Sequence, residues 1–180
     1  MMNNYQLGTL AGLQVTARRS VIFGVLGLWA LLGGLAYALL DLPVATALGA
    51  GLAAAALHVG SEVVHQLGHA WAARRVGYPM VGMQLWGIFA TSIYPAAEPA
   101  LPPATHIRRA IGGPLVSLLV TLIAGAVTLA LPDGLARWIA LFWFLDNLFV
   151  FTLQVFLPLG FNDGSTVLHW WNVQRKGVRE

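Results

Sequence analysis

Four long apolar runs, most of them ended by paired arginines, limit this chain more than any other feature. They cover residues 21–40, 44–74, 111–131 and 136–159. Each reaches the ~20 residues of helix needed to cross a bilayer. A soluble domain normally carries about a quarter charged residues. Here 9% are charged and the mean hydropathy is +0.72, too little polar surface to face water on all sides. The sequence therefore predicts an all-α membrane protein of about four transmembrane helices, folded as one membrane domain over residues 1–180.

The links Asp41-Leu42-Pro43 and Pro132-Asp133-Gly134 are short, so each joins antiparallel neighbours. Arg18-Arg19, Arg74-Arg75, Arg108-Arg109 and Arg175-Lys176 then all fall on one side, with only Arg137 on the other. The positive-inside rule makes that side cytoplasmic and predicts both termini there, with the cell membrane as the expected location. Arginines spread over span ends are anchors rather than a clustered basic face, which argues against nucleic acid as a partner. The first run is longer than the 7–15-residue core of a signal peptide and is expected to be a retained helix. Cysteine is absent, so disulfides and thiolate metal sites are excluded.

Residues 77–106 break the helical pattern. Val81, Met83 and Leu85 alternate with Gly82, Gln84 and Trp86, the period of a strand. Pro95, Pro99, Pro102 and Pro103 then argue against regular structure. A strand-like or re-entrant loop at the cytoplasmic membrane edge is expected. As an edge strand, its Gln84 region would offer backbone groups to an incoming peptide by strand addition.

The second run carries His58, Glu62, His65, Gln66 and His69. With His65 at zero, His58 lies at about 20°, His69 at about 40° and Glu62 at about 60° around a helix. Ionisable groups in lipid cost at least a few kcal/mol each, and an aligned set of them points to function. His65 and His69, at i and i+4, can put two imidazoles on one zinc ion. Zinc needs a further protein ligand and an open position. Asp163 is the other acidic residue in a suitable setting, after the fourth run and on the side where the second run ends. In mid-span, Asp146 is a possible partner for His58, or a neutral hydrogen-bonded group.

Val64-His65-Gln66-Leu67-Gly68-His69-Ala70 resembles the His-Glu-Leu-Gly-His helix of site-2 proteases, and Arg74-Arg75-Val76-Gly77 continues the likeness. Leu157-Pro158, with Asp163-Gly164 following, resembles their proline-containing Asp-Gly motif. Gly113-Pro114-Leu115 is similar to the glycine-proline of their intervening helix. The resemblance spans about residues 57–167. It implies an intramembrane zinc metalloprotease, with His65, His69 and Asp163 as Zn2+ ligands and a membrane protein or transmembrane peptide in the bilayer as substrate.

The chain departs from that pattern at the centre of the chemistry. Gln66 stands where the family carries its glutamate general base, and an amide has no titratable proton near pH 7. Ser117 and Val155 stand where the family carries asparagines, of which Ser117 keeps a polar group for substrate binding. Three accounts of Gln66 are open: a natural member that has lost proteolysis, a deliberate Glu-to-Gln change, or a base role displaced to Glu62 one turn earlier. Two further classes also stand: a metal-binding regulator or scaffold without catalysis, and another metal or haem protein using His169.

Overall fold

The structure is a computed structural model that describes residues 4–177. Strands β1 (Asn4–Leu10) and β2 (Leu13–Arg18) precede helices α1 (Ser20–Leu40) and α2 (Val44–Arg75). Strands β3 (Gly82–Trp86) and β4 (Phe89–Ile93) follow, then α3 (Pro103–Ala130), α4 (Leu135–Asp146) and α5 (Asp163–Gly177). Between α4 and α5 the chain continues as a π-helical stretch, Asn147–Thr152, and a 3-10 turn, Leu153–Phe156.

Among the described residues, four helical segments are long and apolar enough to cross a membrane: α1, α2, α3, and α4 with its irregular extension to Phe156. Their surfaces invert the pattern of a soluble protein. Phe23, Leu39, Leu122 and Leu129 are exposed, whereas the buried stripe of α2 is small or polar, including Ala47, Gly51, Ala54, His58, Glu62 and His65. A lipid-facing surface can be apolar, and small residues let helix backbones approach. At the α1–α2 crossing a methyl on Gly51 would fall 2.6 Å from the Gly33 Cα, so neither backbone can retreat behind a side chain. The fold is that of a multi-pass membrane protein.

The expected loop is larger and more regular than its sequence indicates. All four strands form one sheet in the order β1-β2-β3-β4. β1 and β2 make an antiparallel hairpin, β2 and β3 run parallel, and β3 and β4 are antiparallel about the turn at Gly87-Ile88. The parallel pair is possible because α1 and α2 intervene as the crossover. β3 is therefore an inner strand, and the edge beside the helices belongs to β4. Gln84, expected on an edge, instead lies between Thr16 and Thr91, with its side chain accepting from Arg18 Nε at 2.7 Å. The prolines also behave differently from expectation. Pro103 begins α3 well before residue 111, because proline at a first helical position loses no hydrogen bond and is already set to helical φ.

Leu13, Met80 and Met83 pack with Ala70 and Ala73 of α2, fixing the sheet on the C-terminal half of that helix. Near its start, α1 meets the other end of the β3–β4 hairpin. A methyl on Gly24 would strike the Gly87 backbone, and Gly87 N–H donates to Ser20 Oγ at 3.1 Å. The hairpin is thus seated between α1 and α2, over the polar face of α2.

Candidate metal centre

Three elements deliver the site: α2 carries the histidines, α3 buttresses them and α5 opens with the carboxylate. α2 and α3 cross backbone to backbone. A methyl on Gly68 would lie 2.5 Å from the Gly112 carbonyl oxygen, and one on Gly112 the same distance from the Gly68 carbonyl oxygen. That approach brings α3 within reach of both imidazoles. His69 Nδ1 donates to the Arg109 carbonyl at 2.9 Å, and His65 Nδ1 lies 2.9 Å from Ser117 Oγ. Pro114, inside α3, lacks an N–H and so frees the Ala110 carbonyl from its helical partner.

Asp163 comes from the far side. Asn162 caps α5, its Oδ1 accepting from Ser165 N–H at 3.2 Å and Ser165 Oγ at 2.8 Å. Gly164 is buried where a methyl would meet the Leu157 and Gln154 carbonyls, which presses the start of α5 against the irregular end of the fourth span. Gln154 Nε2 donates to Asp163 Oδ2. The π-helical stretch turns Phe151 inward, its ring 5.6 Å from that of His65 and 5.3 Å from that of His58. Such wide turns are often found at functional sites.

The result is a convergence of candidate ligand atoms. His65 Nε2 and His69 Nε2 are 3.0 Å apart, and they lie 3.1 Å and 3.3 Å from the two Asp163 oxygens. A carbonyl can only accept, so Nδ1 of His69 holds a hydrogen and Nε2 is the ring atom left to serve as a ligand. Burial alone would push the Asp163 carboxyl up, yet His69 and His65 outweigh it and hold the group well below the usual carboxylate range. Two buried imidazole nitrogens and a carboxylate thus converge on one point, as the ligand atoms of a bound cation do. Zinc bonds of about 2.0–2.2 Å at tetrahedral angles separate ligand atoms by about 3.3–3.5 Å, close to the spacing seen. The space is kept by Gly113, where a methyl would lie 2.4 Å from His69 Nε2 and 2.6 Å from His65 Nε2. The donor set therefore fits a tetrahedral metal with one position open.

An open cavity of about 580 Å³ adjoins these groups, its lining including Trp86, Phe89, Phe149 and Phe161. Gln66 and Glu62 also line it; Gln84 and Ser117 do not. Ser117 is 1% exposed and stands behind His65, so it supports the imidazole instead of meeting a substrate as expected from sequence. Val155 is half-buried in the 3-10 turn, and His169 lies exposed on α5 against Trp170. Among the described residues, only His65, His69 and Asp163 form a group able to hold a metal. His58 pairs with Asp146 at 3.0 Å.

Sequence reading missed Gln154 and Arg109. Buried Arg109 pairs with Glu98, donates to the Tyr78 carbonyl at 2.6 Å and lies over the Tyr94 ring at 4.0 Å. Its hydrogen bonds hold the Glu98 carboxyl below its ordinary range. These contacts pin the residue whose carbonyl orients His69. An arginine beside a span reads as an anchor, and no local pattern distinguishes one that turns inward.

The sequence matches no protein-family model and no curated protein. By structure, the chain is similar to a site-2 protease from Methanocaldococcus jannaschii, with a TM-score of 0.61 over 92% of this chain and 70% of that one, at 18% identity. The likeness shows a site-2-protease-like fold.

Proposed function

We propose that this protein is an intramembrane zinc metalloprotease homologue of the site-2 type, impaired in peptide-bond hydrolysis because Gln66 fills the position of the general base. One observation carries the proposal: the convergence of His65, His69 and Asp163 beside a cavity lined by aromatic side chains. His65, His69 and Asp163 would hold the zinc. When bound, zinc supplies Lewis-acid chemistry that polarises a carbonyl and activates water.

The remaining steps belong to side chains of this chain. Ser117 and the Arg109 carbonyl fix the two imidazoles, and Gln154 fixes the carboxylate. The aromatic lining suits an apolar transmembrane segment as substrate. What is weak is proton transfer, since the Gln66 carboxamide can neither take nor return a proton. A second reading, a metal-binding membrane regulator that does not cleave, is favoured by a specific observation: both Gln66 polar atoms are already bonded within the protein.

Metal analysis of purified protein tests the proposal. About one zinc per chain is expected; none, or iron or haem instead, would sink it. The arginine pairs support an orientation with both termini cytoplasmic in the cell membrane. A reporter fused at Gly134 should then behave as external, and cytoplasmic behaviour would reverse the orientation.

A further inference from the structure

The outer edge of β4 meets side chains where a fifth strand would otherwise lie. On α2, His58, Glu62 and Gln66 recur every four residues, a step of about 6 Å along a helix. Along the hairpin, Ile88, Ala90 and Ser92 recur every two residues, a step of about 6.8 Å along a strand. The two repeats run in the same direction and nearly in step. His58 Nε2 donates to the Ile88 carbonyl at 3.0 Å, and Ala90 N–H donates to Glu62 Oε1 at 2.9 Å. Gln66 Nε2 donates to the Ala90 carbonyl at 3.2 Å, and Ser92 Oγ donates to Gln66 Oε1 at 2.8 Å. A bond from Gln66 Nε2 to Glu62 Oε1 at 3.2 Å ties adjacent rungs together.

This arrangement needs an amide at position 66. A carboxamide donates twice and accepts, and here it does both. An ionised glutamate only accepts, and it would face two further acceptors, the Ala90 carbonyl and Glu62 Oε1. A peptide adding to an exposed strand bonds to that strand's outward N–H and C=O groups. At Ala90, beside the cavity, α2 holds both.

We propose that Glu62 and Gln66 are positioning residues that latch the β3–β4 hairpin to α2, closing the free edge of β4 to an extended peptide until the latch parts. The hydrogen bonds do not depend on a metal, so the latch stands or falls separately from the zinc reading.

Hydrogen exchange on the full chain in lipid nanodiscs, read by mass spectrometry, tests it. Gln66→Leu and Glu62→Leu remove rungs and should each speed exchange at Ala90 about tenfold, the worth of one hydrogen bond or somewhat more. Glu62→Gln keeps an acceptor oxygen and should exchange like the parent. The milder Ser92→Ala should speed residues 88–93 less, in the same direction. Amides of β1 and β2 should not change in any variant. Unchanged Ala90 exchange in both leucine variants overturns the latch. So does equal acceleration in Glu62→Gln, or acceleration spread over β2, which would mean general loosening. Zinc measured on the same preparations keeps the two proposals apart: zinc-free protein with the expected exchange pattern refutes the metal centre and retains the latch.

Discussion

Alanine at His65 or at Asp163 is expected to lower zinc affinity more than about 100-fold, beyond the 10–100-fold typical of groups that merely orient ligands. Each substitution removes one of the three donors found among the described residues, and the two that remain cannot define a tetrahedral site. Ser117→Ala should fall in the smaller class, because it removes the hydroxyl behind His65 and leaves the ligand itself in place. Gly113→Ala should resemble a ligand loss despite adding a single methyl. That methyl would fall where His69 Nε2 and His65 Nε2 converge, and the α2–α3 crossing leaves the backbone little room to shift. Calorimetric titration of zinc into metal-stripped protein would rank the four. Parental affinity in Asp163→Ala would remove that residue from the centre and leave the histidine pair without a protein partner.

Gln66→Glu is expected to raise cleavage of a helical membrane peptide about 10²–10⁴-fold, the usual worth of general acid-base help. The change is nearly isosteric and puts a titratable oxygen at the edge of the cavity. It also removes the donors that hold the Ala90 carbonyl and Glu62, so the hairpin should release with the same substitution. Glu62→Gln in the parent should change little. If the parent already cleaves and loses that ability with Glu62→Gln, the base has moved to Glu62. If Gln66→Glu binds zinc, exchanges faster at Ala90 and still does not cleave, the non-cleaving regulator is the better description.

The membrane class followed from the sequence because bilayer thickness is a length that apolar runs must match, and runs are countable. The two histidines on one face were legible for a related reason: helical periodicity converts i and i+4 into a direction without any tertiary information. Asp163 could be nominated by chemistry and by its side of the membrane, since few acidic residues compete for the role. The β1–β2 hairpin was missed although Leu13, Val15 and Ala17 alternate with Gln14, Thr16 and Arg18, a strand pattern short enough to be overshadowed by the spans around it.

Other features had no local signal at all. Strand order depends on a parallel pairing between residues 14–17 and 82–85, closed across two helices, so no window of sequence marks β3 as inner and β4 as edge. The contacts of Ser117, Gln154 and the Arg109 carbonyl with His65, Asp163 and His69 arise from helix crossings and from a π-helical turn, which set distances between residues far apart in the chain. Gln66 shows the division most clearly. Its sequence position says only what it cannot do, which is move a proton. What it does instead, bonding to Glu62, Ala90 and Ser92 at once, exists only because the hairpin packs against α2 with strand and helix repeats nearly matched.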